Sequence, residues 1–134
     1  MSTEGPDGRH SAASLSVLVF GSYLVGLGLT LLVVPNVLLG IFGIPGTDEV
    51  WVRILGVVLA VIGYYQIQGG RTGAEWFMRA SVLGRAAIGV TLFGLVVVGV
   101  APPVIALFGA VDLAGAMWTA YALRQVSAVP KVVA

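Results

Sequence analysis

Four long apolar stretches, separated by short polar or proline- and glycine-rich segments, dominate the pattern of this chain. They cover residues 13–34, 50–68, 77–100 and 103–124. Each has about the 20 residues that an apolar helix needs to cross the hydrocarbon core of a bilayer. Backbone groups find no water in lipid, so helices are the expected structure of such spans. The pattern predicts an all-α integral membrane protein with a four-helix transmembrane bundle over residues 13–125.

The remaining segments are short and predict a tail at each end and one surface element. Residues 1–12 are polar and mixed in charge, which predicts a disordered tail, and residues 126–134 form a C-terminal tail. Residues 36–49 carry an apolar run that is too short to cross a bilayer. We expect a short interfacial helix there, between the first and second spans.

The distribution of charge predicts an orientation. Four spans place both termini and the loop 69–76 on one side, which collects most of the cationic residues: Arg9, Arg71, Arg79, Arg124 and Lys131. The opposite side holds Asp48, Glu49 and Arg53. Because basic residues concentrate on the cytoplasmic side of membrane proteins, both termini are expected in the cytoplasm.

Composition excludes several classes of function. Hydrophobic residues make up 58% of the chain and charged residues 10%, against roughly 25% charged in soluble domains. There is no cysteine, and the one histidine, His10, lies in the polar tail, so no metal or haem site is expected in the membrane. The net charge of +1 gives no reason to expect nucleic acid as a partner. No grouping typical of catalysis is visible, so we expect no cofactor, and an enzyme is the less favoured interpretation.

One polar constellation interrupts the apolar spans. Asp112 lies near the middle of the fourth span, where an acidic side chain costs at least ~2.5–3.5 kcal/mol on insertion scales and therefore needs a partner or a task. Arg85 on the third span lies at a depth from which its side chain could reach Asp112. Tyr64 and Tyr65 on the second span, and Trp118 on the fourth, lie at compatible depths. These five residues form the predicted ligand-binding set.

Each of these residues also has an interpretation without a ligand. Arg85 either extends to the headgroups, with its stem along apolar surface, or faces inward, where it pairs with Asp112 or lies against water without a pair. Such a pair could be structural, fixing which helices are neighbours, or part of a ligand pocket. Tyr64, Tyr65 and Trp118 could equally belong to the aromatic belts at the membrane surfaces. The sequence leaves these alternatives open, as it leaves open whether Asp112 is ionised.

Small residues predict where helices approach each other closely, since helices in lipid associate by packing rather than by the hydrophobic effect. Gly56 and Gly63, seven residues apart, predict a close-approach face on the second span. Ala106, Ala110 and Ala114 form a row of small residues on the fourth span.

Several segments resemble one family of small membrane proteins. They are residues 41–56 (IFGIPGTDEVWVRILG), Gly63-Tyr64-Tyr65, residues 77–85 (FMRASVLGR), Ala101-Pro102-Pro103 and residues 108–112 (FGAVD). Together they resemble small bacterial four-helix membrane proteins of the DoxX-like and BphX-like kind. The resemblance implies a four-helix bundle in the bacterial inner membrane, with an auxiliary or a quinone- or lipid-related role. It implies no catalytic residues.

The leading hypothesis is a non-catalytic integral membrane protein. It would be an accessory subunit, or would bind a small hydrophobic ligand such as a quinone or lipid at the intramembrane polar site. The alternative is a transporter or channel for a small solute or proton. A lone four-helix unit has little room for an aqueous path, so this alternative needs a homo-oligomer. The expected partners are the lipid bilayer and either further copies of the chain or a larger membrane complex.

Overall fold

The computed structural model describes residues 7–127, and the side chains of residues 12–125. This part of the chain is helical, without strands, and contains α1 (Asp7–Val33), α2 (Pro35–Ile41), α3 (Val50–Thr72), α4 (Glu75–Val97) and α5 (Ile105–Ser127). The four long helices α1, α3, α4 and α5 are each long and apolar enough to cross a membrane. The prediction of an all-helical chain with four candidate spans is therefore confirmed.

The helix ends differ from the predicted ones by a few residues. α1 begins at Asp7, so the helix includes residues 7–12, which the sequence pattern assigned to a disordered tail. α3 continues through Gly69 and Gly70 to Thr72 and ends at Gly73, whose φ of 63° is left-handed, a backbone conformation that glycine adopts without strain. Residues 1–6 of the predicted tail, and residues 128–134 at the other end, lie outside the described residues.

The long helices form two pairs, which join mainly through one helix–helix contact. α1 packs extensively on α3, α4 packs on α5, and α1 joins the pairs by packing on α5, whereas α3 and α4 touch little. One end of the bundle, here called the terminal end, has a buried core made of Ala13, Val17, Met78, Ala122 and Leu123. The opposite end, here called the α2 end, brings Phe42 against Phe108, with ring centroids 4.9 Å apart.

Residues spaced seven apart bring α1 and α3 together, in the pairs Ser14 with Gly70, Gly21 with Gly63, and Gly28 with Gly56. A Cβ added to Gly56 would lie 2.6 Å from the Gly28 carbonyl oxygen, and one added to Gly63 would lie 2.6 Å from that of Gly21. Real Cβ atoms do not approach backbone so closely, so both glycines are required by the packing. The predicted face of Gly56 and Gly63 is thus a close contact, and its partner on α1 repeats the same spacing.

The contact between α4 and α5 uses other small residues than the predicted alanine row. Ala110 and Ala114 are exposed on α5. Gly109 lies instead against Gly89 of α4, where a Cβ on either residue would come within about 3 Å of the other's carbonyl oxygen (3.1 and 3.0 Å). Most of the predicted row therefore faces away from the other helices.

A buried hydrogen bond links α3 and α4 despite their small contact. The Ser81 hydroxyl donates to Gln66 Oε1 over 2.8 Å, and both residues are buried. We expect Ser81→Ala to lower the free energy of unfolding by about 1 kcal/mol, the usual size of one interhelical hydrogen bond. Thr91→Ala is the matched control on α4, because that exposed hydroxyl bonds only its own helix, at Ala87 O. Unfolding in mixed micelles measures both, and equal losses would contradict an interhelical role for Ser81.

Candidate functional site

Arg85 lies near the middle of α4 and points into the bundle. Its side chain is 2% exposed and is among the largest fully buried side chains in the described residues. An arginine that extends to the headgroups keeps its guanidinium in water, which this burial excludes. Of the two alternatives for Arg85, the inward orientation is the one found.

A hydrogen-bonded chain of hydroxyl groups links the guanidinium to two other helices. Arg85 Nη2 donates to Thr119 Oγ1 on α5 over 2.5 Å. The Thr119 oxygen lies 2.7 Å from Ser16 Oγ on α1, and the Ser16 hydroxyl also reaches Ala13 O. Both hydroxyl residues are buried. The network therefore joins α1, α4 and α5 around one cation, at the place where the two helix pairs meet.

The guanidinium plane is enclosed by an aromatic ring and a glycine. Arg85 Cζ lies 4.5 Å from the centroid of the Phe20 ring, which is the geometry of a cation–π contact. A Cβ added to Gly115 would lie 2.8 Å from Arg85 Nη1, so glycine leaves the room that the guanidinium occupies. Among the described residues, Nε and Nη1 are buried and have no hydrogen-bond partner. The guanidinium is thus hydrogen-bonded through Nη2 and retains unused donors at Nε and Nη1.

Asp112 lies about one helical turn from Gly115, toward the α2 end, and is partly buried. Within the described part of the chain no Arg85 nitrogen comes within 4.0 Å of its carboxylate; the ion pair that forms is Arg79–Glu75, at 2.7 Å on the surface. The direct Arg85–Asp112 ion pair, one of the alternatives that the sequence leaves open, is therefore not formed in the described residues. The two charges are nevertheless close enough to interact electrostatically, since Asp112 lies one helical turn from Gly115, whose added Cβ would be 2.8 Å from Arg85 Nη1.

An apolar cleft of about 380 Å³ opens between α1, α2 and α5, and is lined by Tyr23, Leu27, Thr30, Leu38, Phe42, Leu107, Phe108 and Val111. Tyr23 connects it to the charged groups. Its ring packs near that of Phe20, at 6.0 Å between centroids, and its phenol lies within electrostatic range of Asp112. Asp112 directly follows Val111 in the chain. Tyr23 and Val111 thus mark the end of the cleft nearer to the two charges, and neither Asp112 nor Arg85 is among its lining residues.

Three predicted site residues lie elsewhere. Tyr64, Tyr65 and Trp118 are 54%, 56% and 43% exposed, and in the described residues no hydrogen bond joins them to Arg85 or Asp112. The helical rotation of about 100° per residue explains this. Gln66, which follows Tyr65, and Thr119, which follows Trp118, are buried. The preceding rings therefore point outward. The structure does not bring these three aromatic residues into the site, and their positions suit an aromatic belt.

Sequence reasoning missed the residues that hold the guanidinium, which are Ser16, Phe20, Gly115 and Thr119. A signal existed in the spacing. Ser16, Phe20 and Tyr23 share one face of α1, and Asp112, Gly115 and Thr119 share one face of α5, since residues three, four and seven apart are neighbours on a helix. Hydroxyl residues are common inside membrane helices, so the spacing alone does not select them.

The arrangement offers hydrogen-bond donors, opposite charges and an apolar cleft, which together can bind the polar head of an amphiphile. In the part of the chain that the structure describes, no cluster of three or more His, Cys, Asp or Glu residues could hold a metal ion. In comparisons with known proteins, no family model matches the chain, and neither a curated protein nor a solved structure matches it. The resemblance to DoxX-like and BphX-like proteins thus has no support beyond the segments that carry it.

Proposed function

We propose that this protein is a non-catalytic integral membrane protein that binds a small hydrophobic ligand, a quinone or a lipid, in the cleft between α1, α2 and α5. The polar head of the ligand lies toward Asp112 and Arg85, and its apolar part lies in the cleft. The observation that carries the proposal is a buried arginine with two unpartnered nitrogens, packed on Phe20, whose ring neighbours that of Tyr23 in the lining of an apolar cleft.

Energetics support this assignment. A buried donor without a partner costs about 1–3 kcal/mol, and more when it is charged. A ligand that accepts a hydrogen bond from Arg85 removes that cost. Ligand sites are commonly apolar clefts with a few convergent polar groups, and a lining made mostly of leucine, valine and phenylalanine suits an acyl or isoprenoid chain better than a water-soluble molecule.

The membrane setting is part of the proposal. Arg71, Arg79 and Arg124 lie toward the terminal end, while Asp48 and Glu49 lie in the connection at the α2 end. This asymmetry supports termini in the cytoplasm of a bacterial inner membrane, with α2 lying along the opposite surface. The long helices expose apolar side chains on many sides, which suits contact with lipid, with further copies of the chain, or with a larger complex that the protein serves as an accessory subunit.

Filling the cleft should reduce the bound ligand. Val111→Phe places a larger side chain in the lining, and we expect protein purified in mild detergent to carry about ten-fold less of the co-extracted quinone or lipid, measured by mass spectrometry per mole of protein. A ten-fold change in affinity corresponds to about 1.4 kcal/mol. Val90→Phe is the matched control, because Val90 on α4 is exposed and outside the cleft.

Equal ligand content in the two variants would place any bound molecule elsewhere and contradict the proposal.

The transport alternative is favoured by one feature, the presence of a buried cation and a partly buried acid within candidate spans, since ionisable groups there often mark ion or proton pathways. Proton or solute flux through proteoliposomes, abolished by Asp112→Asn, would establish transport instead.

A further inference from the structure

The charges beside the cleft restrict the ligand's head group. With both groups ionised, Arg85 contributes one positive charge and Asp112 one negative charge, and Asp112 lies one helical turn from Gly115, whose added Cβ would be 2.8 Å from Arg85 Nη1. The other charged side chains that the structure describes lie near the helix ends or in the connections, at Asp48, Glu49, Arg53, Arg71, Glu75, Arg79 and Arg124. An ionised site of this kind carries no net charge with which to balance a charged ligand.

An anionic head would meet opposing effects. A carboxylate or phosphate that approached the free donors of Arg85 would also approach the Asp112 carboxylate, which lies one helical turn from the glycine that faces Nη1. Charges interact much more strongly in a low-dielectric interior than in water, so the repulsion largely cancels the attraction. The burial of a third charge adds a desolvation cost.

A hydroxyl group satisfies both residues at once. The unused groups of Arg85 are donors, at Nε and Nη1, and an ionised carboxylate only accepts hydrogen bonds. A hydroxyl has an oxygen that accepts and a proton that it donates. It can therefore accept a hydrogen bond from Arg85 and donate one to Asp112. These two residues form no direct ion pair with each other in the described residues.

We infer that the ligand's head is a neutral hydroxyl group, of a phenol or an alcohol, which bridges Arg85 and Asp112 while the rest of the molecule occupies the apolar cleft. The inference rests on the proposed function and specifies its ligand class. It separates phenols and alcohols from fatty acids and from phospholipids with anionic heads. It also assigns Asp112 a role in specificity.

Three probes with one tail test the inference on the full chain in phosphatidylcholine nanodiscs at pH 8. They are 4-octylphenol, which donates and accepts, 4-octylanisole, which only accepts, and 4-octylbenzoate, which is an anion. We expect the phenol to bind at least about ten-fold more tightly than either of the others, since hydrogen bonds to charged groups are the strong ones. Calorimetric titration, corrected for partitioning into empty nanodiscs, gives the three dissociation constants.

Asp112→Asn should invert the preference. The variant keeps the shape of the side chain and removes the negative charge, so Arg85 becomes an uncompensated cation. We expect 4-octylbenzoate to bind at least about ten-fold more tightly to this variant than to the unmodified protein, and 4-octylphenol to bind more weakly. Asp48→Asn removes the same charge from the exposed connection before α3 and should leave the three constants unchanged.

The outcomes separate the inference from the proposed function. Tightest binding of the benzoate to the unmodified protein would overturn the inference and leave a ligand-binding protein with an anion-selective site. An unchanged order of affinities in Asp112→Asn would also overturn it, because Asp112 would then not select the head group. Binding of none of the probes, together with no co-extracted molecule displaced, would reject the cleft as a ligand site altogether.

Discussion

Gly28→Ala should lower the free energy of unfolding by about 2–3 kcal/mol, the upper part of the range for overpacking a well-packed contact. A Cβ at this position would lie 2.5 Å from both the Ala60 backbone nitrogen and the Gly56 carbonyl oxygen. Both atoms belong to the backbone of α3, so no side chain can rotate away. The two helices must separate along the contact, and their dispersion attraction is what holds them together in lipid.

Gly26→Ala provides the control within the same helix. Gly26 is exposed, and a Cβ there meets nothing within 4 Å. Alanine is the better helix former by up to about 1 kcal/mol, so this variant should be neutral or slightly more stable. Titration of a mild-detergent micelle with a denaturing detergent, followed by tryptophan fluorescence, compares the two. Similar stabilities for Gly26→Ala and Gly28→Ala would mean that α1 and α3 do not pack through this glycine.

The four candidate spans were predictable because their signal is local. Length and continuous apolarity identify a candidate membrane helix without knowledge of its neighbours. The face of Gly56 and Gly63 was also visible, since a seven-residue spacing keeps two positions on one side of a helix. Its partner was less visible, because Gly21 and Gly28 become informative only when α1 is known to pack on α3. A matching period on two helices predicts a contact only after the pairing is established.

The candidate site was predicted in part, for a related reason. Arg85 and Asp112 are charged residues within apolar segments, so they could be identified from the sequence alone. The rotation of α3 was not visible, and a turn of about 100° per residue decides that Gln66 is buried while Tyr65 is exposed. The cleft depends on α2, which brings Phe42 against Phe108. Such an arrangement follows from tertiary packing, and no pattern within a single span encodes it.

Arg85→Met should be nearly as destabilising as the glycine variant, with a loss of about 2 kcal/mol, within the range for a buried hydrogen bond made by a charged group. Methionine fills similar volume, so the effect reports on polar interactions. The variant loses the hydrogen bond to Thr119 and the contact with Phe20, and leaves the Asp112 charge without a nearby cation. Arg79→Met is the control on the same helix, because the exposed ion pair of Arg79 with Glu75 is worth at most about 1 kcal/mol.

The double variant Arg85→Met/Asp112→Asn determines how much of that loss comes from the remaining carboxylate. If the two charges stabilise each other across the gap, neutralising Asp112 should cost less once Arg85 is gone. The sum of the stability losses of the two single variants should then exceed the loss of the double variant by at least about 1 kcal/mol, within the range seen for coupled neighbours. Strict additivity would mean that the carboxylate does not sense the guanidinium. The loss in Arg85→Met would then belong to Thr119 and Phe20, and the bridging of Arg85 and Asp112 by a hydroxyl would have no electrostatic basis.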